Sequence, residues 1–226
     1  MTTRAVEDYL KCILVEEQGL DAGRVSTGRI AQSLGLAPGT VTAMLQALAE
    51  AGRVDYAPYG GVRLTADGRR QALHVLRRHR LIELFLVEVV GMDWGEVHEE
   101  AERLEHVVSE RFVERMDVML GHPQVDPHGD PIPTAQGHVE TYDRESLLSC
   151  ATSRPLQVCR VRDQSSEFLR LVEERGLMPG SQLEVAERNP AAETVLLRLL
   201  PEGDTVSLGY GAASKIQVSP TAAAVP

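Results

Sequence analysis

Apolar residues recur along the first third of the chain with a helical spacing that stops and restarts. Val6, Tyr9, Leu10, Ile13 and Leu14 form one stripe over residues 5–17. Ser26 and Thr27 suit the start of a second helix carrying Ile30, Ala31 and Leu34, and Gly35 suits its end. Pro38 suits the first turn of a third, with Val41, Met44, Leu45, Leu48 and Ala49 along it and Gly52 at its close. Two helices joined across Gly35, Leu36 and Ala37 read as a helix-turn-helix unit. A period of two then takes over: residues 53–56 and 62–65 flank the turn-rich stretch 57–61, as in a β-hairpin wing. Residues 1–70 are expected to form a winged helix that binds DNA. A small helical core with no ligand is the alternative reading of the pattern.

The next two runs, 66–90 and 96–120, predict two long helices. They carry Leu73, Leu76, Leu81, Leu84, Phe85, Val87 and Val89, then Leu104, Val107, Val108, Phe112, Met116 and Met119. That is more apolar surface than an exposed helix needs. It is buried within one chain or offered to a second subunit, and a two-fold dimer would match paired half-sites on DNA. Pro123, Pro127, Pro131 and Pro133 then exclude regular helix or central strand. Beyond Pro155, short alternating runs at 157–161, 182–186, 194–199, 205–208 and 215–218 are separated by Gly, Pro, Asn and Asp, with one helical run at 166–175. That is the pattern of a small β-barrel. The fold class is therefore mainly α with small β parts: residues 71–135 helical, 136–153 a linker, 154–220 a β-domain and 221–226 a disordered tail.

Charge sharpens this division. The formal net charge of −10 is unevenly spread: eight Lys/Arg face eight Asp/Glu in residues 1–70, six face thirteen in 71–135, and nine face twelve in 136–226. The acidity lies behind the winged helix, where it would concentrate cations and, without one, repel phosphate. No apolar run approaches the ~20 residues of a membrane span, and MTTRAVEDYLKC has neither the basic nor the apolar part of an export signal. Cys12, Cys150 and Cys159 cannot all pair within the chain and lack zinc-finger spacing. A cytoplasmic protein is expected.

The candidate chemistry sits in VHEEAERLEH, residues 97–106. On a continuous helix, at roughly 100° per residue, His98, Glu102, Glu105 and His106 share one face. Imidazole nitrogens and carboxylate oxygens so placed suit a divalent metal; a solvated charged surface is the plainer reading. Thr40 and Thr42, at the start of the third helix, are placed to reach bases or phosphates. Arg24, Arg29, Arg53 and Arg63 flank them as backbone contacts, and Thr27, Pro38 and Gly39 complete the expected DNA-facing set. The third helix has no Lys or Arg, so base reading would lean on hydroxyls, methyl contacts and DNA shape. A metallohydrolase would also gather His and Glu, but no H-E-x-x-H or nucleophile elbow is present. The chain reads as a regulator and not an enzyme.

Three stretches together, EDYLKCI at 7–13, HRLIELFL at 79–86 and VHEEAERLEHVVSE at 97–110, resemble the diphtheria toxin repressor family of metal-dependent transcriptional regulators, which includes the manganese transport regulators. HGDPIP at 128–133 and RGLMPGSQLEV at 175–185 extend the resemblance over nearly the whole chain. It implies a homodimer on a palindromic double-stranded operator, an SH3-like domain at 154–220, and a primary metal site of Asp8, Glu102, Glu105 and His106. The iron-responsive branch has Met and Cys where this chain has Asp8 and Glu102, so the hard, oxygen-rich set resembles the manganese branch and suits Mn(II). Fe(II) is the alternative, with Co(II), Ni(II), Cd(II) or Zn(II) as surrogates. The resemblance also implies an ancillary site of His79, Glu83, His98, Gln164 and Glu167. Asp8 would otherwise be an acidic residue favoured by a helix N-terminus. One departure stands out: small manganese regulators place a glutamate beside a second ion where this chain has Lys11, whose ammonium would repel such an ion.

Overall fold

The computed structural model describes residues 3–18, 23–140 and 144–221. The expected tail lies outside them from residue 222 onward. The chain divides into two compact units, the first of residues 1–79, 102–113 and 133–139, the second of 80–101, 114–132 and 140–226.

The first unit is built on the winged helix. Helices α1 (Arg4–Glu17), α2 (Thr27–Leu34) and α3 (Pro38–Glu50) precede the antiparallel strands β1 (Val54–Ala57) and β2 (Gly61–Leu64). The punctuation residues act as their chemistry dictates. Ser26 Oγ accepts the Arg29 backbone N–H at 3.2 Å, satisfying one of the orphan donors of α2. Gly35 closes that helix at φ 64°, in the left-handed region that only glycine enters at little cost. Val25 bridges to Val62, tying the helices to the wing. Leu10, Ile13, Ile30, Val41, Leu45 and Val62 are fully enclosed in the core, joined by Ala72, Leu73 and Leu76 of α4 (Ala66–Phe85). Gly68 lets α4 approach the residue just before β1: a Cβ there would lie 2.0 Å from the Arg53 carbonyl oxygen.

The helix expected over 96–120 is two helices, α5 (Val97–Leu104) and α6 (Glu110–Met119). The backbone N–H groups of Val107 and Val108 both fall back on the Leu104 carbonyl, and Ser109 Oγ accepts from Phe112 N to begin α6. Glu105 and His106 therefore lie in a turn and not on the face of a continuous helix.

In the second unit an antiparallel six-stranded sheet runs in the order β3-β8-β4-β5-β6-β7. Its strands are β3 (Glu145–Ser146), β4 (Leu156–Val161), β5 (Gln182–Asn189), β6 (Thr194–Leu200), β7 (Thr205–Gly209) and β8 (Ile216–Pro220), with α7 (Ser166–Glu174) and the short α8 (Tyr210–Ala213) between them. Val158, Leu183, Val185, Val195, Leu197, Ile216 and Val218 alternate inward to make its core with Phe168 and Leu169. The expected linker is shorter than its composition suggested: β3 pairs with β8, and Leu147 and Cys150 are buried in this core. All three cysteines are free thiols. No described helix is long and apolar enough to cross a membrane.

Candidate metal centre

Within the first unit, α1 presents Glu7, Asp8 and Lys11 toward α5 and the turn after it. The structure brings Asp8, Glu105 and His106 together: their ligand atoms all lie within 4.8 Å of one another. His106 Nε2 is 2.7 Å from Asp8 Oδ1 and 3.3 Å from Glu105 Oε1. Glu102 joins the same cluster through Glu105 and His79, a second group that meets the same measure. His98, expected on the same face, is not among them. His98 belongs to the second unit, where its Nδ1 lies 3.1 Å from Glu83 Oε1.

The electrostatics are those of a site short of positive charge. Glu105 is completely buried, and burial, with Glu102 beside it, pushes the Asp8 carboxyl above its usual range despite His106, Lys11 and Arg4. Asp8 Oδ1 and His106 Nε2 are buried and lack a hydrogen-bond partner among the described residues, although they face each other. The two carboxylates and one imidazole of the Asp8, Glu105 and His106 group, with two such orphaned atoms, fit a hard divalent cation, which would turn that deficit into coordination; Glu102 reaches them only through the neighbouring group that shares Glu105.

Two groups of α1 hold this set in place. Glu7 Oε2 pairs with His106 Nδ1 at 2.7 Å, and Glu7 Oε1 lies 3.0 Å from the Arg78 guanidinium of α4. Burial opposes ionisation of Glu7, but the hydrogen bond to His106 and the Arg78 charge outweigh it and hold its carboxyl below the usual value. With Nδ1 engaged by a carboxylate, His106 turns Nε2 toward Asp8, the arrangement that orients histidine ligands in metal sites. Lys11 donates to Glu102 Oε1 and to Glu105 Oε1, both at 2.6 Å. His79, expected in the ancillary site, pairs through Nδ1 with Glu105 Oε2 at 2.6 Å. Sequence reasoning missed Glu7; the available signal was its position four residues before Lys11, on the same side of α1.

In the second unit Glu83, Asp126 and His128 form a fully buried group with ligand atoms within 4.8 Å of one another. Burial, with Asp130 and Glu83 nearby, raises Asp126 well above the usual carboxylate range although Arg80 opposes it. Burial lowers the His128 imidazole from its usual value although Glu83 opposes it, and its ring stacks on Trp94 with centroids 5.4 Å apart. Gln164 and Glu167 do not complete this group. Gln164 Nε2 donates to Asp130 Oδ2 at 2.9 Å, and Glu167 is exposed, lining an open groove with Asp163, Phe168 and Lys215. Neither Asp126 nor His128 was expected as a ligand: they lie in the proline-rich stretch whose HGDPIP segment carries the resemblance, and nothing local marks them as donors.

On the winged helix, Thr40 and the N-terminal turn of α3 are exposed, whereas the Thr42 hydroxyl donates to the Pro38 carbonyl. Arg24 and Arg63 both pair with Asp55 of the wing, at 2.6 and 2.8 Å, and Arg29 pairs with Glu16. These ion pairs lie at the surface of the winged helix, with Arg29 and Arg63 exposed. Thr27 and Arg53 are half-buried, and Pro38 and Gly39 are exposed.

Comparison with known proteins agrees with this architecture throughout the chain. Residues 1–62 match the iron dependent repressor N-terminal DNA binding domain, residues 65–134 the iron dependent repressor metal binding and dimerisation domain, and residues 146–220 the FeoA domain. The iron-dependent repressor of Mycobacterium leprae is 31% identical, over 94% of this chain and 95% of its own length. A solved manganese-dependent transcriptional repressor in complex with manganese is 41% identical and superposes with a TM-score of 0.87, covering 96% of this chain and 100% of that one. The manganese regulator SloR superposes with a TM-score of 0.76 at 31% identity, over 98% and 100% of the two chains. A DNA-binding domain, a metal-binding and dimerisation domain and a FeoA domain thus follow one another along this chain, and the chain belongs to the diphtheria toxin repressor family of metal-dependent transcriptional regulators.

Proposed function

We propose that this chain is a Mn(II)-activated repressor of metal-uptake genes, acting in the cytoplasm as a homodimer on a palindromic operator. The observation that carries the reading is the convergence of Asp8, from the first helix of the winged helix, with Glu105 and His106, from the turn after α5. Glu102 completes the primary donor set. Asp8, Glu102, Glu105 and His106 would hold a divalent cation there, and it would supply the positive charge that the cluster lacks. The residues do the rest. Glu7 orients His106, Glu105 joins Lys11 and His79 in one ionic cluster, and the core around Leu10 and Ile13 fixes α1 against α2 and α3. Any constraint on α1 is thereby passed to α3, whose exposed N-terminal turn carries Pro38, Gly39 and Thr40. Metal and DNA would favour one conformation, and each would raise affinity for the other.

The donor set supports manganese, since it contains no thiolate or thioether. Iron is the second reading, favoured by the name of the mycobacterial relative that matches nearly the whole chain. We assign an ancillary ion to Glu83 and His98 of the expected set, with Asp126 and His128 in place of Gln164 and Glu167. The test is operator binding under anaerobic conditions, with Mn(II) and Fe(II) titrated separately on a duplex selected from a random pool. Activation by Mn(II) at lower free concentration than Fe(II) is expected. Activation by Fe(II) alone would establish the second reading, and DNA binding indifferent to both would overturn both readings.

A further inference from the structure

Two groups capable of holding a cation share Glu105: Asp8, Glu105 and His106 on one side, His79, Glu102 and Glu105 on the other. The chain delivers a cation of its own into the second. The Lys11 ammonium lies 2.6 Å from Glu102 Oε1 and 2.6 Å from Glu105 Oε1, with its side chain only 11% exposed and Glu105 wholly buried. A lysine so placed does more than keep an ion out. It bridges the two carboxylates that a metal ion there would bridge, and it arrives on α1, so it also ties α1 to α5.

Charge balance gives the arrangement its logic. Asp8, Glu102 and Glu105 supply three negative charges, while Glu7 is matched by Arg78. One divalent ion and one ammonium neutralise the three carboxylates. A second divalent ion beside Lys11 would leave a buried excess of positive charge, which a low-dielectric site strongly disfavours. Replacing Lys11 by glutamate adds a fourth carboxylate and restores neutrality with two divalent ions.

We propose that Lys11 is a built-in replacement for a second metal ion: its ammonium fills the Glu102–Glu105 position permanently, so that one divalent ion per chain completes the cluster. The inference rests on the metal reading above and concerns the number of ions, and hence the form of the response, which that reading leaves open. A cluster needing one ion responds to free metal as a single-site isotherm per chain, whereas a two-ion cluster responds more steeply.

The test uses the full chain loaded with Mn(II), with bound manganese counted and its electron paramagnetic resonance recorded for wild type, Lys11→Glu and Lys11→Gln. The His106→Ala variant identifies which ions belong to this cluster. The wild type is expected to hold one His106-dependent ion with the signal of an isolated ion. Lys11→Glu is expected to hold two, exchange-coupled through the shared Glu105 carboxylate. Lys11→Gln, which leaves the carboxylates one positive charge short, is expected to take a second ion more weakly, and it carries the test should Lys11→Glu not fold. A coupled pair in the wild type would overturn the proposal, as would a single uncoupled ion in folded Lys11→Glu or, failing that, folded Lys11→Gln. No His106-dependent ion in the wild type would instead bring down the metal reading itself.

Discussion

Glu7 contributes no ligand to the proposed metal, yet its replacement should weaken metal binding. Its carboxylate is 2.7 Å from His106 Nδ1 and 3.0 Å from Arg78, with 14% of the Glu7 side chain and 4% of the His106 side chain exposed. A hydrogen bond to an ionised group in such surroundings contributes ~1.5–3 kcal/mol, and partners that orient a histidine ligand typically carry ~10–100-fold in metal affinity. Glu7→Gln keeps the shape and can still accept from Nδ1 through its amide oxygen, so it should fall at the lower end, about tenfold weaker for Mn(II). Glu7→Leu removes the acceptor altogether and leaves the Arg78 guanidinium beside Glu110, 3.6 Å away. That variant should lose about 100-fold. Titration calorimetry at neutral pH measures the affinities. Nitrogen NMR of the His106 ring reports whether the proton leaves Nδ1, a change that a merely structural role for Glu7 would not produce. Folded Glu7→Gln and Glu7→Leu proteins that both bind Mn(II) within about twofold of wild type would refute the reasoning, a difference well under 1 kcal/mol.

Glu102→Ala and His106→Ala should each abolish metal-dependent operator binding while leaving a folded dimer, as gel shift and sedimentation would show. Gly68→Ala should destabilise the winged helix by about 2–4 kcal/mol in chemical denaturation, because its Cβ would meet the Arg53 carbonyl oxygen at 2.0 Å and backbone must move. Trp94 is the only tryptophan and stacks on His128, so Mn(II) entering the Glu83–Asp126–His128 group should quench its fluorescence; the Asp126→Ala variant should lose that response. Glu7 is held below its usual value, so the stability it contributes is present above the unfolded-state pKa and is lost as pH falls through its depressed folded value. Melting temperature should decline less steeply with acidification in Glu7→Gln than in wild type.

Local pattern alone determined most of the elements. The stripe from Val6 to Leu14, the Ser26 cap, Gly35, Pro38 and the alternation around the 57–61 turn each act over a few residues, and each element lies where its pattern placed it. The same holds for β4 to β8, whose inward residues alternate with a period of two. Side-chain chemistry pointed to Glu105 and His106 as candidate ligands, and the family resemblance alone pointed to Asp8. Periodicity did not place Glu105 and His106: the helical arc that grouped them with His98 ends at Leu104. What only the tertiary structure decided are the partnerships between distant residues. Glu7 meets His106 and Lys11 meets Glu105 across more than ninety positions of chain. Asp126 and His128 meet Glu83 because a loop folds back on a helix. Short-range preferences carry no information about such meetings. They arise where burying an apolar core brings charged groups together out of water, and each group must then find a partner or bind an ion.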